Sequence, residues 1–277
     1  MNQLRRLLAS TCLLVALSPA WSAGFDEAVK PLVIGETLTI KSQAVGESRR
    51  INVYLPAGYA QAPKERWPVL YMPDGGLAED FLHVAGLLQV SAANLTMRPF
   101  ILVGIENTER RRDLTGPTEQ ASDRKIAPRV GGSAAFRQFI REELMPAVQA
   151  RYRTTQERAI IGESLAGLFV VETWVLEPAL FDTYIALDPS LWWNKEGLIA
   201  TAAQTLKTRP ASVKPALLVA SSSEPTILEP ARRFAELLTQ AKAAHWKLLP
   251  LPDETHMTVY HPAALIAVRQ LFKPAKP

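Results

Sequence analysis

The chain has 277 residues, of which 48% are hydrophobic, and a formal net charge of +4. This length and apolar fraction allow one large domain with a sizeable core, or two small ones. Such a weak positive charge, with no basic tract, argues against nucleic acid as the main partner.

Residues 1–23 have the pattern of a secretory signal peptide. Arg5 and Arg6 precede an apolar stretch, and Ala20-Trp21-Ser22 is a small-x-small cleavage site. The apolar stretch is too short to remain as a stable membrane span. The only cysteine, Cys12, lies inside it, so the mature chain would contain no disulfide and no cysteine-based metal site. We therefore expect a bacterial periplasmic or secreted protein.

The rest of the chain alternates between strand and helix patterns. Two segments with apolar residues at every second position predict half-buried strands near 38–40 and 51–55. Continuous apolar runs, typical of buried parallel strands, follow at 68–73, 100–105, 159–161, 184–187, 215–220 and 246–251. Helical spacing predicts helices at 79–93, 133–152, from 165 towards 178, and at 229–243 and 263–272, with a kink at Pro146. With no linker or repeat, residues 24–277 are predicted to form one α/β domain.

The segment 159–169 has the features of a nucleophile elbow, the sharp turn that exposes a serine between a strand and a helix. Its centre is Gly162-Glu163-Ser164-Leu165-Ala166-Gly167. The residues two before and two after the serine must be small, because the strand and helix backbones pass close together. Gly162 meets this demand fully, and Ala166 replaces the usual second glycine with the next smallest side chain. The alternative is a strand-to-helix turn with an incidental serine.

Glycines also follow the strand at 68–73, where Asp74-Gly75-Gly76 ends it. Such glycines allow backbone N–H groups to approach a ligand. Gly75 or Gly76, together with the N–H of Leu165, is therefore a candidate oxyanion hole. The alternative at this position is an ordinary turn before a helix.

The order of the candidate catalytic residues matches that of an α/β hydrolase, in which the serine comes first, then the acid, then the histidine. Ser164 follows one predicted strand, Glu224 a later one, and His256 the last one. We predict Glu224 as the acid. Asp188, after the strand next to the elbow strand, is the main alternative, and a Ser-His dyad is a further one.

Two segments are candidates for substrate contacts. Arg111 and Arg112, in a run of three arginines, open a long polar loop that extends to Gly132. The arginines fit a solvated turn slightly better than a rim that attracts an anionic substrate. Trp192 and Trp193, just past a strand, would either wall an aromatic or acyl pocket or simply be buried.

Together these motifs resemble the esterase family of α/β hydrolases that includes esterase D, feruloyl esterases, mycolyltransferases and bacterial enterochelin esterases. The resemblance extends over roughly 51–272 and rests on five segments: 111–115, 139–152, the elbow with its helix, 188–193, and Thr255-His256. It is nearest to the periplasmic siderophore esterases, in which the arginine segment and the tryptophan pair would surround an anionic, aromatic substrate. Asp188 stands where that family more often has serine. The resemblance implies an α/β-hydrolase fold, with a mostly parallel central sheet and helices on both faces, and ester cleavage.

We therefore expect a serine carboxylic-ester hydrolase that forms an acyl-enzyme. His256 would take the proton from Ser164, and no metal or organic cofactor is implied. An acyltransferase that uses the same triad is one alternative, and a non-catalytic binding protein on this fold is another.

Overall fold

The structure, a computed structural model, describes residues 30–274. The predicted signal peptide, which contains Cys12, lies outside these residues, so it stays a prediction. All helices and strands of the described part lie between Glu36 and Leu271. Between residues 30 and 274, no helix is both long and apolar enough to cross a membrane.

Eight strands form one sheet in the order β1-β2-β4-β3-β5-β6-β7-β8. The strands are β1 (Glu36–Lys41), β2 (Ser48–Tyr54), β3 (Trp67–Pro73), β4 (Ile101–Ile105), β5 (Thr154–Glu163), β6 (Thr183–Leu187), β7 (Ala216–Ser221) and β8 (Trp246–Pro250). Only the β1–β2 and β2–β4 pairs are antiparallel, and all other neighbours are parallel. This confirms the predicted mostly parallel sheet.

Helices cover both faces of the sheet, as predicted. They are α1 (Phe81–Ala93), α2 (Arg110–Asp113), α3 (Ala121–Arg124), α4 (Ser133–Phe139), α5 (Met145–Arg151), α6 (Leu165–Leu176), α7 (Trp193–Thr208), α8 (Pro225–Gln240) and α9 (Tyr260–Leu271). Side chains alternate across β3: Val69 and Tyr71 join the core on the side of α4, α5, α6 and α8, whereas Leu70 and Met72 join the core with α1 and α9.

The short helices α2 and α3 lie in the predicted loop, and two further features of the helices differ from the sequence prediction. The segment predicted as one kinked helix contains a π-helical turn, Ile140–Leu144, immediately before Pro146. Since proline has no N–H to donate to the preceding turn, the widened turn accommodates it. Helix α7 was missed, because only Trp193 and Ala202 are buried in it and its apolar pattern is correspondingly weak.

A buried ion pair joins the antiparallel part of the sheet to the segment after β4. Arg49 of β2 is 0% exposed and pairs with Asp113 of α2, which is 1% exposed. Asp113 also accepts from Arg112, whose Nε lies 2.7 Å from Oδ1. Removing one member of such a pair leaves the other charge buried, which costs far more than the pair itself contributes.

We therefore expect Asp113→Ala to lower the free energy of unfolding by about 3 kcal/mol, as measured by urea denaturation. The control is Glu157→Ala, which breaks a half-exposed, bidentate pair with Arg98. That change should cost less than about 1 kcal/mol. Equal losses in the two variants would contradict the role assigned to burial.

Candidate active site

Ser164 stands at a sharp turn between β5 and α6. Its φ and ψ are 60° and −119°, a strained backbone conformation for any residue other than glycine. Hydrogen bonds hold it there: its N–H donates to the Leu187 carbonyl at 3.0 Å, and its carbonyl accepts from Ser190 N–H at 3.0 Å. The conformation directs the hydroxyl out of the turn, where it lines a surface cleft.

The turn leaves no space for a side chain at two glycines. A Cβ on Gly162 would lie 2.7 Å from the carbonyl carbon of Ala166 and 2.7 Å from its Cβ. A Cβ on Gly167 would lie 2.9 Å from the Leu187 carbonyl oxygen, at the end of β6. Glycine is thus required at position 167, where α6 meets the end of β6. Position 166 has room for the alanine side chain, which is fully buried.

Three side chains from different strand ends form a hydrogen-bonded chain at this turn. His256 Nε2 lies 3.0 Å from Ser164 Oγ, and His256 Nδ1 lies 2.7 Å from Asp188 Oδ2. Asp188 follows β6 and is fully buried. It also accepts hydrogen bonds from the backbone N–H and the hydroxyl of Ser222. Asp188 therefore holds the imidazole with Nδ1 as donor and Nε2 facing the serine.

The acid predicted from the sequence is corrected by this geometry. Glu224 does not contact the imidazole ring. Its Oε1 accepts from the backbone N–H of His256 at 2.9 Å. The reason is the strand order: β6 lies next to β5, whereas Glu224 lies beyond β7, one strand further from the serine. Asp188, the alternative acid, occupies the position at Nδ1.

The charges around His256 favour its protonated form. The hydrogen bond with Asp188 raises the pKa of His256, burial opposes this rise, and the charges of Glu163 and Glu224 add to it. Glu163, the residue before the serine, has Oε1 3.4 Å from Nε2. Burial raises the pKa of Glu163 to about 7. Sequence reasoning missed Glu163, although its place inside the elbow was visible.

The two glycines proposed for the oxyanion hole already have acceptors. Gly75 N–H donates to the Ile105 carbonyl at 2.9 Å. Gly76 N–H donates to the carboxylate of Glu79 at 2.6 Å. The structure therefore does not present either group as a free donor: the end of β4 takes the N–H of Gly75, and the turn into α1 takes that of Gly76. Leu165 fits better, since the first N–H of a helix has no intrahelical acceptor.

A cleft of about 670 Å³ opens beside Ser164 and His256. Its apolar lining includes Trp192, Ile227 and Pro225, and its charged lining includes Glu224 and Glu229; the remaining lining residues are Ser190, Glu196, Thr226, Pro230 and Arg233. Arg233 is paired with Glu196 through two hydrogen bonds of 2.6 and 2.8 Å. The cleft therefore combines an apolar wall with three carboxylates, of which Glu196 and Glu229 are ion-paired with Arg233 and Arg232.

The two tryptophans have different places. Trp192 lines the cleft, in line with the predicted wall. Trp193 is 4% exposed, and its Nε1 donates to the Gly116 carbonyl at 2.9 Å. Trp193 therefore anchors the long loop instead of lining the cleft. Asp123 adds a second anchor, because its Oδ2 accepts from Thr118 Oγ1 at 2.7 Å and from Asn194 N–H at 2.9 Å.

The arginine segment is mostly occupied by ion pairs. Arg110 binds Asp74 through two hydrogen bonds of 2.8 Å, and Arg112 binds Glu47 and Asp113. Ion pairs with Glu47 and Asp113 occupy the guanidinium of Arg112, which also lines a groove beside α2, and its predicted substrate contact stays a prediction. Arg111 is exposed and forms no ion pair with any residue between 30 and 274. Arg111 lines this groove, of about 560 Å³, together with Arg110, Arg112 and Pro128.

One further group near the nucleophile was not identified from the sequence. Ser190 is 2% exposed, and its hydroxyl oxygen lies 3.5 Å from that of Ser164. It follows β6 two residues after Asp188, so it comes to the site with the same strand end.

Comparison with known proteins places these residues in a family. Residues 42–245 match the family model described as "Putative esterase". The ferri-bacillibactin esterase of Bacillus subtilis is 33% identical over 54% of this chain and 56% of its own length. The siderophore triacetylfusarinine C esterase of Aspergillus fumigatus is 31% identical over 64% of each chain. The chain thus aligns with less than two thirds of the length of these relatives.

The fold also matches solved structures. An IroE-like serine hydrolase from Shewanella oneidensis superimposes with a TM-score of 0.77, over 86% of this chain and 80% of that one, at 27% identity. The siderophore hydrolase EstB of Aspergillus nidulans superimposes with a TM-score of 0.74, over 89% of this chain and 97% of that one. At 22% identity, the second match supports the fold alone.

The geometry gives the two carboxylates different roles, which labelling of Ser164 by a fluorophosphonate can separate. Asp188→Asn should slow labelling by about 10⁴-fold, because the neutral amide no longer orients the imidazole or stabilises its charge. Glu224→Gln should slow it less than about tenfold, because this residue contacts only the backbone of His256. Labelling rates from stopped aliquots, analysed by mass spectrometry, provide the measurement. A larger loss in Glu224→Gln than in Asp188→Asn would reverse the assignment.

Proposed function

The chain belongs to the esterase family whose model it matches, and from that premise we propose that it is a serine carboxylic-ester hydrolase that works through an acyl-enzyme. One observation carries the proposal: Ser164 Oγ, both ring nitrogens of His256 and Asp188 form a continuous hydrogen-bonded chain beside an open cleft. This arrangement activates a serine hydroxyl as a nucleophile.

In the first step, the Ser164 hydroxyl attacks the ester carbonyl and its proton moves to His256 Nε2. Asp188 stabilises the resulting imidazolium through Nδ1–H. The N–H of Leu165 is positioned to donate to the oxyanion, and one such donor typically lowers the barrier by about 3 kcal/mol. The proton on Nε2 then passes to the departing alkoxide, which leaves as an alcohol.

In the second step, the same groups act on water. His256 removes a proton from a water molecule that attacks the acyl-enzyme, and the proton returns to Ser164 as the carboxylic acid is released. Every step uses only the three triad side chains, the N–H of Leu165 and water, so the proposed reaction requires no cofactor. An acyltransferase would differ only in that an alcohol replaces water in this step.

We propose a siderophore ester as the substrate class. The supporting observation from comparison is that relatives of this chain are named as esterases of ferri-bacillibactin and of triacetylfusarinine C. The apolar cleft wall at Trp192 and Ile227 suits an aromatic or acyl group. An anionic part of the substrate would be repelled by Glu224 and attracted to Arg111.

We also propose export of the protein, followed by removal of residues 1–23. The support is the charged start, the apolar stretch and the small-x-small site in that segment. A periplasmic location would fit an enzyme that opens an imported ester.

The first test compares wild type and Ser164→Ala on a short p-nitrophenyl ester and on a catecholate trilactone. Wild type should hydrolyse both, and the variant should lose at least about 10³-fold in kcat because the acyl-enzyme cannot form. Product release is followed by absorbance for the first substrate and by chromatography for the second.

The controls of this test separate the alternative functions. Added alcohol tests transfer: ester products that outpace hydrolysis would make the protein an acyltransferase. A wild type that cleaves neither ester and does not react with a fluorophosphonate would instead be a non-catalytic binding protein.

Substrate charge provides a separate prediction. Arg111→Ala should raise KM for an anionic catecholate ester by about tenfold, while leaving KM for a neutral p-nitrophenyl ester unchanged, because only the former gains from the guanidinium. Lys125→Ala removes a positive charge from the same exposed loop and is the matched control. An equal effect of both variants on both esters would contradict a direct contact.

A further inference from the structure

Glu163 occupies an unusual place beside the catalytic base. Its Oε1 lies 3.4 Å from His256 Nε2, the same nitrogen that faces Ser164 Oγ at 3.0 Å. Asp188 contacts the opposite nitrogen, Nδ1. The imidazole is therefore flanked by a carboxylate on each side, although a triad requires only one.

We propose that Glu163 is a positioning residue that acts through His256, stabilising the imidazolium when the proton of Ser164 arrives on Nε2. This inference rests on the proposed ester hydrolysis for its effect on rate, but its effect on His256 is independent of turnover.

The argument follows from which atoms carry charge before and after proton transfer. In the resting enzyme, Nε2 presents a lone pair, and a carboxylate oxygen at 3.4 Å repels it. After transfer, Nε2 carries a proton and the ring a positive charge, so the same oxygen attracts it. The interaction is therefore stronger in the transition state than in the ground state, which is the condition for a contribution to kcat.

The surroundings of Glu163 keep its carboxylate from being neutralised by a direct partner. Its side chain is 16% exposed. Arg110 is attractive at longer range but is committed to Asp74 through two hydrogen bonds. Asp74 and Asp188 repel the carboxylate. His256 is consequently the nearest cationic group available to Glu163.

Other titratable groups also face this position. Tyr260 of α9 is partly buried, and its burial, together with the charges of Asp80, Asp74 and Glu163, raises the pKa of its hydroxyl. Burial and the neighbouring charge of Asp74 also raise the pKa of Asp80 to about 6. Near Glu163, burial and the charges of Asp188 and Asp74 disfavour a negative charge on its carboxylate, and this favours a proton on the pair of Glu163 and His256.

The sign of the pH dependence follows from these shifts. Burial raises the pKa of Glu163 to about 7, so its charge is present above that pH and is lost below it. His256 must be neutral to accept a proton, and its raised pKa places the acidic limb of kcat/KM above the ordinary value. Because Glu163 and His256 interact, the apparent pKa of the acidic limb describes the pair and not either residue alone.

The test uses Glu163→Gln, which keeps the shape of the side chain and removes its charge. The acidic limb of kcat/KM should move to lower pH by about one unit, and kcat at pH 8 should fall up to about tenfold. KM should stay unchanged, because Glu163 does not line the cleft. Glu163→Asp, which retains a charge on a shorter side chain, should lie between wild type and Glu163→Gln.

The matched control is Glu65→Gln, which removes one charge from an exposed loop. Its pH profile should superimpose on that of wild type. Thermal unfolding of all variants verifies that each is folded, and Glu163→Asp serves as the test variant if Glu163→Gln is not. A kcat loss with an unchanged pH profile would mean that Glu163 is only structural and would overturn the proposal.

A second measurement does not depend on turnover. The imidazole resonances of His256 can be assigned by their loss in His256→Ala, and their pH titration by NMR should give a lower pKa in Glu163→Gln than in wild type. If wild type hydrolyses no ester but this pKa falls, the proposed function fails and the inference about Glu163 stands. An unchanged pKa of His256 overturns the inference, whether or not the protein is an esterase.

Discussion

A strand, a helix and a second strand end come within van der Waals contact around Ser164, and the other features of the site depend on this close approach. Gly162 and Gly167 have no space for a Cβ, and Ser164 is held at a positive φ by hydrogen bonds to the end of β6 and to the segment after it. The strain at one residue is offset by tight packing of the fully buried core on both sides. The same turn determines where Glu163 and Leu165 point.

Three carboxylates surround one histidine, and each acts on a different atom. Asp188 orients the ring through Nδ1, Glu224 holds the backbone N–H of the loop, and Glu163 faces Nε2. Because hydrogen bonds are directional, a carboxylate at the backbone cannot replace one at the ring. The role of each acid is thus determined by its contact atom and not by its proximity in the chain.

The long loop after β4 is tied to the segments that carry the site. Trp193 and Asp123 join it to the segment after β6, and Arg110 joins it to Asp74 after β3. These contacts use most of its charged and polar groups internally. Arg111 is the member of the arginine run that remains exposed. If this segment attracts an anion, Arg111 is therefore the side chain that does so.

The local sequence determined the alternation of strands and helices, the turn at Ser164 and the place of His256 after the last strand, because these depend on spacing and small residues within short segments. Helix α7 was not predicted, because few of its residues are buried and its apolar pattern is weak. Other features depend on which strands are neighbours and on where each side chain points. They are the identity of the triad acid, the oxyanion donors, and the different places of Trp192 and Trp193. Only tertiary structure decided these, because Asp188 reaches His256 across 68 residues of sequence, through the placement of β6 next to β5.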